Sequence, residues 1–149
     1  MWRQLIRIGL LTLVPMFVSA GSAYGQSLGY RIQATIPFDF IVGEKKLPAG
    51  EYFIGRARIS SDDSLLTINA RNSSAGVFSS TYSVQTLEQS EYGKLVFHRY
   101  GDQWFLFQIW PAGGNTGREI RSKLEREAER KTHVVKGPME TRSVLVHLD

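Results

Sequence analysis

His98 is the residue best equipped for chemistry, and it sits in the aromatic stretch "LVFHRYGDQWFLFQIWPAGGNTGREI" (Leu95–Ile120). An imidazole that titrates near neutrality can serve as base, acid or metal ligand, but each role needs a partner at a defined spacing. The sequence contains no H-x-H or H-E-x-x-H pattern, and His133 and His147 lie far off in the tail. A zinc site therefore has no local support. His98 reads as a hydrogen-bonded strand residue and is kept as a possible polar site residue. "AGGNTGRE" (Ala112–Glu119) invites a phosphate-loop reading, yet it lacks the Lys-Ser/Thr ending and the G-x-G-x-x-G spacing. Its glycines more simply release the chain from a strand into a helix, whose first amides could still hold an anion. "SSDDS" (Ser60–Ser64) offers oxygens to calcium without the spaced acids of an EF-hand. Asp39, Glu44 and Glu51 are carboxylates that nothing local brings together, and no G-x-S-x-G occurs. The chain has no cysteine, which removes disulfides, thiolate metal sites, thiol nucleophiles and a cysteine lipid anchor. No catalytic residue, metal ligand or cofactor is assigned on these grounds.

The elements that position His98 come next. Gly101-Asp102 is a two-residue hairpin signal. In the register it sets, Tyr100 faces Gln103, Arg99 faces Trp104, His98 faces Phe105, Phe97 faces Leu106 and Val96 faces Phe107. One face then carries Val96, His98, Tyr100, Phe105, Phe107 and Ile109. The other carries Leu95, Phe97, Arg99, Trp104, Leu106 and Trp110. Both are apolar, whereas a one-sided sheet needs one apolar face. Something must cover the second, either the helix that follows or a partner. Phe97, Arg99, Trp104, Leu106 and Trp110 are accordingly the candidate ligand or partner surface, with Arg99 over Trp104 as a cation–π pair.

Upstream, strand and turn signals alternate about every ten residues: "YRIQATI", "PFDFIV", "EYFIGRARI", "SLLTINA" and "AGVFSSTYSVQ". In the last, Phe78, Tyr82 and Val84 share one face and Ser79, Thr81 and Ser83 the other. No crossover helix precedes Thr116, so parallel pairing is not expected. Thr116 and Glu119 form a capping box, and opposite charges at i, i+4 follow, which predicts a helix over 117–131 with a narrow apolar stripe of Ile120, Leu124 and Ala128. The fold class expected is all-β: an antiparallel β-sandwich or small β-barrel of about seven or eight strands with one C-terminal amphipathic helix.

The opening segment reads as a signal peptide over 1–25. Arg3 and Arg7 precede an apolar run from Ile8 to Val18, and small residues follow. That run is shorter than the roughly 20 residues a membrane span requires. The mature chain, 26–149, is one expected domain. Removing Arg3 and Arg7 brings the net charge from +4 to +2, so nucleic-acid binding loses its compositional footing. The product would be exported to the periplasm or beyond, with no integral membrane segment after cleavage.

Three segments, "IPFDFIVGEKKLPAGEY" (Ile36–Tyr52), "KLVFHRYGDQWFLFQIW" (Lys94–Trp110) and "GREIRSKLEREAE" (Gly117–Glu129), resemble a group of small secreted proteins of acidobacteria-like bacteria. The resemblance implies export and an all-β fold and transfers no site. The functional expectation is a non-enzymatic binding or structural module of the cell envelope, its partner an unknown protein or apolar ligand. One alternative is a lipocalin-like carrier with a cavity lined by Phe38, Phe40, Phe105 and Phe107. Another is an enzyme with a site around His98.

Overall fold

Gly101 and Asp102 turn the chain between β7 (Gly93–Tyr100) and β8 (Gln103–Trp110), with Gly101 at φ 64°, a left-handed conformation open to glycine. These strands belong to a computed structural model that describes residues 31–57, 64–89, 91–135 and 139–148. The leader expected over 1–25 and most of the Ser60–Ser64 turn lie outside the described residues. From the turn, the ladder runs Tyr100↔Gln103, Arg99↔Trp104, His98↔Phe105 and Phe97↔Leu106, as the turn dictates. It then slips, and Val96 pairs with Gln108 rather than Phe107. The extra residue, Phe107, forms a β-bulge. Because side chains alternate with period two, one inserted residue exchanges the faces beyond it. Ile109 therefore pairs with Leu95 and joins Leu95, Phe97 and Leu106 in the core. Trp110 leaves the face expected for it and lies on the outer one, beside Gln108.

The other strands are β1 (Ile32–Ile36), β2 (Phe40–Val42), β3 (Lys45–Leu47), β4 (Gly50–Arg56), β5 (Leu65–Ala70), β6 (Gly76–Gln85), β9 (Thr116–Ile120) and β10 (Glu140–Leu148). They form one ten-stranded sheet in the order β3-β2-β8-β7-β10-β1-β4-β5-β6-β9. A short ladder, Gln108↔Glu119 and Ile109↔Arg118, brings β9 back against β8. Nearer the hairpin turn, β2 takes the same edge of β8 through a parallel pairing at Ile41↔Phe105. The result is one mixed sheet, compatible with the expected all-β class as a sandwich or an open barrel. Two features depart from that expectation: one pairing is parallel, and the described residues form ten strands, because the short β3 and the segment 116–120 add to those expected.

The concave side holds the main core. Alternate residues supply it: Ile32, Ala34 and Ile36 from β1, Tyr52 and Ile54 from β4, Leu66 and Ile68 from β5, and Phe40, Val42, Leu47, Leu95, Phe97, Leu106 and Ile109. Phe40 meets Tyr52 and Phe97 edge-on at 5.1 and 5.7 Å, a favoured arrangement of ring quadrupoles. The strand β6 inverts the usual assignment. Ser79 and Thr81 point inward and are buried, while Phe78 and Tyr82 are 60% and 52% exposed. Ser79 and Thr81 are small enough to fill these inward positions, and Thr81 satisfies its hydroxyl by donating to Ser64 O at 2.9 Å.

The helix α1 spans Lys123–Val135 and corrects the 117–131 expectation. Residues 116–120 form strand instead, because Ile120 is buried opposite Thr81 and joins the core. The cap that acts is the second S/T-x-x-E pattern, Ser122 to Glu125. Ser122 Oγ accepts from Glu125 N–H at 3.2 Å, and Ser122 O accepts from Arg126 N–H at 3.3 Å. The same hydroxyl donates to Gly43 O, which ties the start of α1 to the β2–β3 turn.

Candidate functional site

The surface expected around Trp104 has been used by the protein itself. Phe97 and Leu106 are 0% and 1% exposed, so neither can present to a partner, and the expectation is corrected for both. Trp104 is covered by Phe38, stacked on it at 4.5 Å, while Arg99 lies 5.4 Å from its ring and Arg142 lies 5.3 Å from Phe38. This cation–ring–ring–cation stack closes one end of the core. Arg99 is held further by Glu140 at 3.1 Å and by donation from Nε to Gly101 O at 2.9 Å. The proposed carrier cavity does not assemble either. Phe40 belongs to the main core and Phe105 to a separate cluster with Ile41, Tyr100 and Ala128 on the opposite side of the sheet. A depression of about 480 Å³ along α1 is lined by Lys123, Arg126, Glu127, Glu129 and Arg130, a charged lining unsuited to an apolar ligand.

His98 lies beneath α1. Its Nδ1 is 2.8 Å from Glu125 Oε1, with both side chains largely buried. A carboxylate can only accept, so Nδ1 carries the proton and donates. Phe107, the bulge residue, stacks on the imidazole at 4.0 Å, and Tyr100 meets it edge-on at 6.2 Å. Burial, with the negative charges of Glu125 and Glu129 behind it, pushes the Tyr100 hydroxyl up to about 12. Glu125 is thus bound twice, by the helix cap through its backbone and by His98 through its side chain. This arrangement docks a helix. Phe107 and Glu125 occupy one ring face and Nδ1 of His98, and among the described residues no cluster of three or more acidic or His side chains could hold a metal.

Of the remaining carboxylate candidates, Asp39 and Glu51 are paired in separate places, and Glu44 is exposed. Asp39 accepts from Ala49 N–H at 3.0 Å and pairs with Lys46 at 3.4 Å; that amide, then the lysine, hold its carboxyl below the usual range. Glu51 pairs with Arg71 at 3.1 Å. In "AGGNTGRE" residues 112–115 turn the chain out of β8 and Thr116–Glu119 already belong to β9, not to a helix start, so the anion-site idea loses its helix.

What the structure does assemble lies on the outer face of β6, β9 and β8. The ladders align Tyr82 with Glu119 and Glu119 with Gln108, a row across three strands. A chain of polar contacts follows it. Trp110 Nε1 donates to Gln108 Oε1 at 3.1 Å, and Gln108 Nε2 donates to Glu119 Oε2 at 3.3 Å. Arg121 Nε donates to Glu119 Oε1 at 3.2 Å, and its guanidinium lies 4.2 Å over the Tyr82 ring. Gly117 permits this: a Cβ there would come within 2.6 Å of the Trp110 ring, so the indole lies flat across bare backbone. Four residues along β6, on the same outer face, stands Phe78. Of this face the sequence reading singled out Trp110 alone. The alternation in "FSSTYSV" was visible, but which half of it faced water was not. In comparisons with known proteins, no family model, curated protein or solved structure matches the chain.

Proposed function

We propose that the chain is an exported, non-enzymatic binding module of the cell envelope, and that it binds through the outer face of β6, β9 and β8. One observation carries the reading: Phe78 and Tyr82 are turned to solvent while their neighbours Ser79 and Thr81 occupy the interior. Exposed rings of this kind mark recognition surfaces, and the contacts from Trp110 through Gln108 and Glu119 to Arg121 hold the polar groups beside them in fixed positions. Fixing binding groups beforehand lowers the entropy lost on association. Export is supported by the Arg3, Arg7 and Ile8–Val18 pattern of the first segment. The test is co-sedimentation of the mature chain with isolated cell envelopes. The wild type is expected in the pellet and the double variant Phe78→Ala, Tyr82→Ala in the supernatant. Equal distribution of the two proteins would refute the reading.

A further inference from the structure

We infer that the ligand of this face is an uncharged glycan chain; the inference rests on the reading above and narrows it to one chemical class. A sugar ring has two kinds of surface. Its C–H face is apolar and rests on an aromatic ring, while its rim of hydroxyls both donates and accepts hydrogen bonds. The outer face offers both. Phe78 and Tyr82 are exposed rings about 13 Å apart along one strand, at roughly 3.3 Å per residue. That spacing suits a chain of linked rings lying along β6 better than a single small molecule. Beside Tyr82 lie an amide, a carboxylate and a guanidinium, all planar groups able to meet paired hydroxyls. Their internal contacts leave capacity unused. Gln108 Nε2 has a second N–H, Arg121 uses its Nε toward Glu119 and keeps its terminal N–H groups, and Glu119 keeps further lone pairs.

Charge decides against a polyanion. Glu119 and Arg121 cancel within one ion pair of 3.2 Å, so the face has no surplus positive charge. Tyr82, Arg121 and Trp110 are residue types that also anchor protein interfaces, so the test must separate a protein from a glycan; the unused N–H groups and lone pairs beside Tyr82, which suit paired hydroxyls, favour the glycan.

The experiment titrates the mature protein with soluble oligomers of β-linked glucose and of β-linked N-acetylglucosamine, followed by Trp fluorescence and by backbone amide shifts. Shifts confined to residues of β6, β9 and β8 are expected. Tyr82→Ala and Arg121→Ala should each weaken binding about fivefold to tenfold, with unchanged circular dichroism and melting. Val134→Ser, an exposed apolar residue on α1, should bind as wild type. Absence of shifts with either oligomer series, together with envelope sedimentation that protease treatment of the envelopes abolishes, would overturn the glycan inference and leave the binding module intact. Absence of both oligomer binding and sedimentation would remove the two together.

Discussion

Removing the carboxylate of Glu125 should release α1 while leaving the sheet folded. The helix is held by few contacts: the Ser122 hydroxyl on Gly43 O, Ala128 against Ile41, Tyr100 and Phe105, and the 2.8 Å bond from His98 Nδ1 to Glu125 Oε1. The last is the strongest single one, because its acceptor is charged and both side chains are largely buried. Glu125→Ala deletes it and strands a buried N–H beneath Phe107, a cost of about 2–3 kcal/mol. Glu125→Gln keeps an acceptor oxygen of the same reach and loses the charge alone, at about 1 kcal/mol. Hydrogen exchange reads the difference. If α1 opens locally, protection of its amides should fall about 30- to 150-fold in the alanine variant and about fivefold in the glutamine variant. Protection in β4 and β5, whose Ile54 and Ile68 pack in the main core away from Ala128, should hold. Equal effects of the two variants on α1, or equal loss in β4 and β5, would refute the docking argument.

Tyr100, with its pKa raised to about 12 against an unfolded value of 10.0, keeps its proton in the folded state where the unfolded chain has lost it. Its contribution to stability is full below pH 10 and disappears as pH rises to about 12; denaturation of Tyr100→Phe across that window should show a shallower alkaline decline, and an unchanged slope would count against it. Gly117→Ala places a Cβ 2.6 Å from the Trp110 ring, which should displace the indole, redden its fluorescence and cost about 1–3 kcal/mol; unaltered emission would refute the packing. Phe97→Ala opens the centre of the core and should cost about 3–5 kcal/mol in chemical denaturation, whereas Phe78→Ala should stay within about 0.5 kcal/mol of wild type.

Local rules carried the sequence reading as far as they could act alone. The Gly101-Asp102 turn set four cross-strand pairs correctly, because a tight turn fixes register over the residues beside it. At Phe107 local rules give no warning, since a bulge here is marked by no glycine or proline, and one inserted residue exchanges the faces of both Ile109 and Trp110. At the helix, two capping patterns lay six residues apart, Thr116 to Glu119 and Ser122 to Glu125. Their local chemistry is equivalent. Tertiary burial chose between them, by drawing Ile120 into the core as a strand residue. The partner of His98 was beyond any local rule. Glu125 lies 27 residues away and arrives only when α1 folds back.

That return of the helix also explains how a hairpin apolar on both faces coexists with rings left in water elsewhere. The face bearing His98, Tyr100 and Phe105 is covered by α1, and the other is the main core, so the hairpin needs no partner. Two of the exposed rings, Phe78 and Tyr82, are on β6, where the fold gains little from them. At 60% and 52% exposure, Phe78 and Tyr82 bury less than half of their surface. Outward aromatic side chains on a sheet invite self-association, and serine or threonine, already used at Ser80 between them, would serve the strand with less risk. The fold does not remove the hazard by burying Tyr82. It lays the Arg121 guanidinium on the ring and anchors that guanidinium through Glu119 and Gln108 to Trp110. A side chain that contributes little to the core yet is held in place by a five-residue chain across three strands is better accounted for by what it contacts than by what it stabilises.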